Sequence, residues 1–337
     1  MREPDFWSSK PGIAAALLSP LALIYGSIAA RRMRRGGYKT AVPVICVGNF
    51  TLGGTGKTPA AIAVAKTLAA DGHKPFFLTR GYGGRLAGPV RVDPKTHLAA
   101  DVGDEPLLLA RQMPTIVARD RAAGAKLAQS HGATIIVMDD GLQNPSLQKD
   151  VALAIVDARR GFGNERVFPA GPLRAPLETQ FNQVHAIVLV GKGPGATRVS
   201  ELAREQKKPV LRARLEPANE AIKLIGRRRV LAFAGIGDPE KFFMTLASSG
   251  IEAQAEESFP DHHPYSEPDA KRILARCEAQ KLVPVTTEKD VVRLKGLSGM
   301  RGKLASAAQA LPVTLLTEEP EALRRLLRGA LAVPRSG

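Results

Sequence analysis

Short, unbroken apolar runs recur along this 337-residue chain, each closed by glycine, proline or charged residues. Residues 42–48 (VPVICVG), 75–79 (PFFLT), 115–118 (TIVA), 134–138 (TIIVM), 151–156 (VALAIV) and 186–190 (AIVLV) have the length and β-branched content of strands. Segments of helical character fall between several of them, such as the alanine-rich residues 120–130. Continuous rather than alternating apolar strands predict an α/β fold, a parallel sheet covered by helices on both faces. A second block opens near residue 220 with a strand at 229–234 (RVLAFA) and a helix near 239–249, and its alternation runs to about residue 329. Sequence of weaker periodicity, containing proline, glycine and arginine, separates the blocks and places the boundary near residue 215.

The N-terminus breaks this pattern. Residues 11–30 (PGIAAALLSPLALIYGSIAA) are nearly free of charge, and Arg31, Arg32, Arg34 and Arg35 follow at once. About 20 apolar residues can just cross a bilayer as a helix. Pro20 is expected to interrupt it, and alanine, glycine and serine dilute its hydrophobicity. A signal peptide carries its positive charge before the apolar run, which is the reverse of this order. Three arrangements remain open: a span with its arginines on the cytoplasmic side, a helix lying in the interface on anionic headgroups, or a helix packed on the protein's own core.

Apolar content of 44% and charged content of 24% are those of a globular protein. The net charge of +16, from 48 basic and 32 acidic residues, points to an anionic partner: nucleic acid, anionic lipid or a phosphorylated substrate. Cys46 and Cys277 are the two cysteines, which excludes a disulfide framework and suits a reducing compartment.

Chemistry is densest after the first strand. Thr51, Leu52, Gly53, Gly54, Thr55, Gly56, Lys57 and Thr58 form a phosphate-binding loop between strand 42–48 and a helix opening at Pro59. Glycines let backbone N–H groups turn towards phosphate, and the helix N-terminus adds positive potential. Lys57 should reach the β- and γ-phosphates, and the Thr58 hydroxyl should help to hold Mg²⁺. Thr51 stands where the usual pattern has its first glycine. The other reading is a glycine-rich turn capping an ordinary helix.

A metal carboxylate is then needed at the end of a neighbouring strand. Asp139 and Asp140 fit, although one of them could simply cap the turn before Gly141. Asp104 and Glu105, in GDEP, are either catalytic acids or N-terminal helix caps. Asp261, His262 and His263 lack zinc spacing, so the histidines either tune a carboxylate or proton, or sit in an inert turn. Arg80, Arg119, Arg121 and Arg174 lie beside flexible backbone or strand ends and suit phosphate or carboxylate recognition as a cluster.

Taken together, VGNFTLGGTGKTP, TRGYGG, VGDEP, VARDR, MDDGLQN, FGNERVFPAGPLR, FPDHHPY and TTEKD resemble the tetraacyldisaccharide 4'-kinase family, the lipid A kinases of Gram-negative bacteria. These pieces run in the family's order from about residue 44 to 290, and the family's loop also departs from the usual pattern at the Thr51 position. The resemblance implies transfer of the ATP γ-phosphate to the 4'-hydroxyl of a tetraacylated disaccharide 1-phosphate. It implies ATP and Mg²⁺ as cofactors, and as partners a lipid A disaccharide precursor and an anionic membrane surface, with no nucleic acid. Location at the cytoplasmic face of the inner membrane follows. The implied fold is a P-loop NTPase-like parallel-sheet domain (residues 37–215), a smaller C-terminal α/β domain (residues 216–337) and a membrane-associated N-terminal segment (residues 1–36).

The resemblance makes Asp104 the catalytic carboxylate, acting with His262 and Lys57. It makes Thr58, Asp139 and Asp140 metal candidates, with Gln143 near the nucleotide. Arg80, Tyr82, Arg119, Arg121 and Arg174 become substrate contacts, and Glu288 and Lys289 close over the nucleotide. Ala175 departs from the family, which often has an acid after GPLR. Two rival readings are a metallochaperone-type P-loop NTPase, although no N-K-x-D guanine signature occurs, and a non-catalytic basic protein binding anionic membrane or nucleic acid, which leaves the loop and MDDG unexplained.

Overall fold

A computed structural model describes residues 4–331. The first eight strands belong to one sheet: β1 (Val44–Gly48), β2 (Pro75–Thr79), β3 (Val90–Arg91), β4 (Thr115–Val117), β5 (Ile135–Asp139), β6 (Val151–Asp157), β7 (Ala186–Val190) and β8 (Val210–Pro217). A second, four-stranded sheet holds β9 (Val230–Ala234), β10 (Ala253–Ser258), β11 (Val283–Thr286) and β12 (Gln309–Ala310), in the order β10-β9-β11-β12 and all parallel. The last strand, β13 (Val313–Thr317), returns to the first sheet and completes the nine-stranded order β13-β8-β7-β6-β1-β5-β2-β4-β3. Only β13 against β8 and β3 against β4 run antiparallel in it.

The return of β13 corrects the expected C-terminal boundary. Leu315, with Leu323 and Leu327 of the helix Pro320–Leu331, packs into the same core as Ala61, Val64 and Leu68 on the helix after the loop. The smaller unit therefore covers about residues 219–311, and the chain crosses between units twice. Local pattern cannot reveal this, because a strand's periodicity does not say which sheet edge will take it.

The central strands β1, β5, β6 and β7 are buried along their whole lengths, as continuous apolar runs require. β1 lies between β5 and β6, and the chain leaves it towards β2 on one side and later reaches β6 on the other. Ligands to such sheets sit where the winding reverses, at the carboxyl ends of the strands.

The N-terminal helix α1 (Ile13–Met33) continues through Pro20. The expected interruption fails because proline removes one backbone hydrogen bond, and turns on either side maintain the helix. Only a narrow stripe of mostly small residues, Ala15, Ala22, Gly26, Ala30 and Met33, is buried. Leu17, Leu21, Leu23, Ile24 and Ile28 are all more than half exposed.

Candidate active site

The phosphate loop leaves β1 and enters α2 (Lys57–Ala70) through Gly56, whose φ of 88° is left-handed and suits glycine. The loop residues from Leu52 to Thr58 line a cleft of ≈ 770 Å³ between the two units. Thr51 does not line it. It forms a single antiparallel bridge with Leu173, and its carbonyl accepts the Arg174 Nε–H at 2.9 Å. Extended backbone in a bridge does not need glycine, which explains the departure at this position.

Asp139 and Asp140 close β5 at the foot of the loop but do different things. Asp140 lies 3.6 Å from Lys57 Nζ and accepts from Arg174 Nη1 at 3.0 and 3.2 Å. Burial disfavours its charge, but Lys57 and Arg174 outweigh that and hold its pKa down at about 2. Asp139 is 1% exposed, and neither of its carboxylate oxygens has a hydrogen-bond partner. Burial first, then the charges of Glu105 and Asp140, push its pKa up to about 8. A buried carboxylate without donors is costly unless a cation joins it. Thr58, buried in the first turn of α2, offers a hydroxyl on the same cleft wall. Among the described residues, no group of three or more His, Cys, Asp or Glu side chains could by itself hold a metal.

Asp104 opens the helix Asp104–Ala110, and His262 sits at φ 57° in the turn after β10. His262 Nδ1 is 3.2 Å from Asp104 Oδ2. Asp104 is 3% exposed and not among the lining residues, whereas His262 lines the cleft. Asp104 Oδ1 accepts the Glu105 backbone N–H at 2.8 Å, and Oδ2 accepts Arg293 Nε–H at 2.7 Å. Burial opposes the Asp104 charge, but His262, Arg293 and Lys289 together hold the carboxyl well below the usual range. Burial also opposes a charged His262, yet its hydrogen bond and ion pairing with Asp104 raise its pKa above the ordinary value.

The other expected residues divide. Arg80, Tyr82, Arg121, Gln143, Arg174, Glu288 and Lys289 all line the cleft. Tyr82 packs its ring 5.1 Å from that of His262. Arg121 is 1% exposed, Nη1 donates to the Ala118 carbonyl, and Nε has no partner. Burial lowers its pKa to about 10. Gln143 spends its amide N–H groups on the Asn49 carbonyl and Gln180 Oε1, both at 2.8 Å, which braces the loop. Lys289 pairs with Glu105 across the units at 2.5 Å. Thr287 caps the helix Glu288–Leu294 and thereby aims Glu288 and Lys289 from its first turn. Arg119 is exposed and stands outside the cleft lining, unlike the expected substrate contact. Its neighbour Arg121 turns inward because Asp120 caps the helix Arg121–Ser130 between them. Ala175 is buried and lends its carbonyl to Gln180 Nε2 at 2.7 Å.

Arg293, which contacts Asp104, and Gln180, which contacts Gln143, are neighbours of the candidate residues that the sequence motifs did not single out. Arg293 lies beyond TTEKD with no short motif around it. Gln180 sits in the weakly periodic segment after GPLR.

Residues 14–332 match the model of the family described as tetraacyldisaccharide-1-P 4'-kinase. The chain is 54% identical over 338 residues to a tetraacyldisaccharide 4'-kinase of Methylobacterium radiotolerans, covering 99% of this chain and 100% of that one. It is 49% identical over 336 residues to the tetraacyldisaccharide 4'-kinase of Bradyrhizobium sp. (strain ORS 278), covering all of both. The crystal structure of LpxK from Aquifex aeolicus in complex with ATP has a TM-score of 0.71 and 25% identity, covering 95% of this chain and 100% of that one.

Proposed function

The chain belongs to the tetraacyldisaccharide-1-P 4'-kinase family, and from that premise we propose that it transfers the γ-phosphate of ATP to the 4'-hydroxyl of a tetraacyldisaccharide 1-phosphate in lipid A biosynthesis. The observation that carries the reading is one cleft lined both by the phosphate loop and by His262, whose imidazole meets the buried Asp104 carboxylate behind it.

In the transfer, the 4'-oxygen forms a bond to the γ-phosphorus as the bond from that phosphorus to the β–γ bridging oxygen breaks, and ADP leaves. The hydroxyl proton passes to the Asp104–His262 pair. His262 faces the cleft, so its imidazole is the nearer acceptor, with Asp104 orienting it and stabilising the imidazolium. Phosphoryl transfer through a loose transition state needs charge stabilisation more than strong base catalysis. Backbone N–H groups of the loop and Lys57 supply it at the phosphates, and Arg174 and Arg121 offer further cations. Asp139 and Thr58 would hold Mg²⁺, the hard cation that neutralises phosphate charge. The unpartnered oxygens of Asp139 support this choice over Asp140, which already serves Lys57 and Arg174.

The acceptor's acyl chains stay in the bilayer, since each buried CH₂ contributes about 0.8 kcal/mol. The exposed apolar face of α1 and the following arginines fit a protein held at the cytoplasmic face of the inner membrane. The body docks on α1 from Ala15 to Met33, and Glu165, Arg166 and Glu178 line the groove beside it. A spanning helix would carry those charges into hydrocarbon, so the helix lies along the interface.

Purified protein with ATP, Mg²⁺ and detergent-dispersed tetraacyldisaccharide 1-phosphate should place the γ-phosphate on the lipid's 4'-oxygen. ATP hydrolysis without lipid labelling would sink the assignment.

A further inference from the structure

Arg293 emanates from the helix Glu288–Leu294 of the smaller unit and reaches the larger one. Its side chain is 7% exposed and lies outside the cleft lining. Nε donates to Asp104 Oδ2 at 2.7 Å, with Nη2 2.5 Å from the same oxygen. Nη1 donates to the Gly235 carbonyl at 2.6 Å and to Asp290 Oδ1 at 2.8 Å. Asp290, fully buried, is in turn held by the Gly235 N–H (3.0 Å), Tyr265 O–H (2.8 Å) and Thr287 O–H (2.6 Å). The guanidinium is thus anchored firmly in one unit while its other edge holds an oxygen of the other.

We propose that Arg293 is a positioning residue for phosphoryl transfer, clamping the Asp104 oxygen that His262 approaches and tying the reacting pair to the seating of the smaller unit. With Oδ1 held by the Glu105 N–H and Oδ2 by Arg293, the carboxylate cannot rotate, so the imidazole meets it at one place. The proposal rests on the Asp104–His262 reading above.

The clamp also has an electrostatic consequence. Asp104 is faced by Glu105 on its own helix, by Tyr82 beside His262, by Asp261 and His262 from the turn after β10, and by Lys289, Asp290 and Arg293 from the helix Glu288–Leu294. Removing the guanidinium leaves Asp104 and Asp290 buried without their shared cation. The Asp104–His262 pair then binds a proton more tightly, and the acid limb of the rate profile moves to higher pH.

The test is kcat against pH for the full-length enzyme, wild type, Arg293→Gln and Arg293→Lys. Arg293→Gln should lower neutral-pH kcat by about 10²-fold, as a misplaced reacting group does, with KM for ATP little changed. Its acid limb should rise by about one pH unit or more, the usual effect of removing an opposite charge at this range. Arg293→Lys keeps the charge without the planar fork, so it should lose rate with the limb near its wild-type position. In an Asp104→Asn background, Arg293→Lys should bring little further loss, because it acts through that carboxylate. This last comparison decides the matter even if Arg293→Gln does not fold. A limb unmoved in Arg293→Gln, or losses that add in the double variant, overturns the role of Arg293. A wild-type profile with no acid limb instead removes the Asp104–His262 reading, and this proposal with it.

Discussion

Asp104 and His262 stand 158 positions apart and meet at 3.2 Å, one from each α/β unit. Neither unit alone contains the pair, so the proposed reacting constellation exists only where the two are seated together. Asp104→Asn keeps the shape and removes the charge. It should lower kcat by about 10²–10⁴, as when an imidazole base loses the carboxylate that orients it and stabilises its charge. ATP affinity, read by calorimetry, should stay near wild type because Asp104 does not line the cleft. Near-normal turnover would remove Asp104 from the reaction.

The same pair makes stability depend on pH. The His262 pKa is raised, because Asp104 outweighs the opposing effect of burial. A raised folded-state value gives stabilisation that is complete below the unfolded value, about 6.5, and is lost as pH rises through the folded value. The stability gap between wild type and His262→Ala should therefore be widest below about pH 6.5 and narrow as pH rises above it. Denaturant melts at several pH values measure it, and a constant gap would contradict the ion pair.

The two acids after β5 should separate cleanly. Asp139→Asn removes a buried carboxylate that has no partner, so its melting temperature should hold or rise. Its kcat should fall by about 10²-fold or more, and the Mg²⁺ needed for half-maximal rate should increase. Asp140→Asn releases Lys57 and Arg174 and should instead lower the melting temperature. Mg²⁺ titrations beside thermal melts distinguish the roles, and an exchanged pattern would reverse them.

The exposed face of α1 can be tested without disturbing the core. Leu21 and Ile24 are 57% and 61% exposed. Leu21→Asp with Ile24→Asp places two charges on the face that would enter lipid, at about 2 kcal/mol or more each. Co-sedimentation with anionic phospholipid vesicles should fall by more than about tenfold, with the melting temperature unchanged. Undiminished binding would move the membrane contact elsewhere.

Much of this protein is legible along the chain because the relevant physics is local. Strands β1, β2, β4, β5, β6, β7 and β9 announce themselves by unbroken apolar runs, and the loop from Leu52 to Thr58 by the glycines its backbone needs, whereas the two-residue β3 and the arginine-bearing edge-side strand β8 carry no such run. Asp120, Asp238 and Thr287 cap the helices that follow them, as short polar residues before a helix do. Arg119 shows where local reading fails. It shares a short motif with Arg121, yet a helix start between them sends one arginine to solvent and the other into the cleft.

The nucleotide loop, most strands of the parallel sheet and the apolar N-terminal helix are each carried by patterns within a few turns of chain, and the family resemblance by eight motifs in order from about residue 44 to 290. Only the tertiary structure decided that β13 returns to the first sheet, that Asp139 is the unpartnered acid while Asp140 serves Lys57 and Arg174, and that Arg293 holds Asp104. These depend on which distant side chains share a buried space. Burial and pairing set the charge and hydrogen bonds of each group, and no local pattern in the chain encodes them.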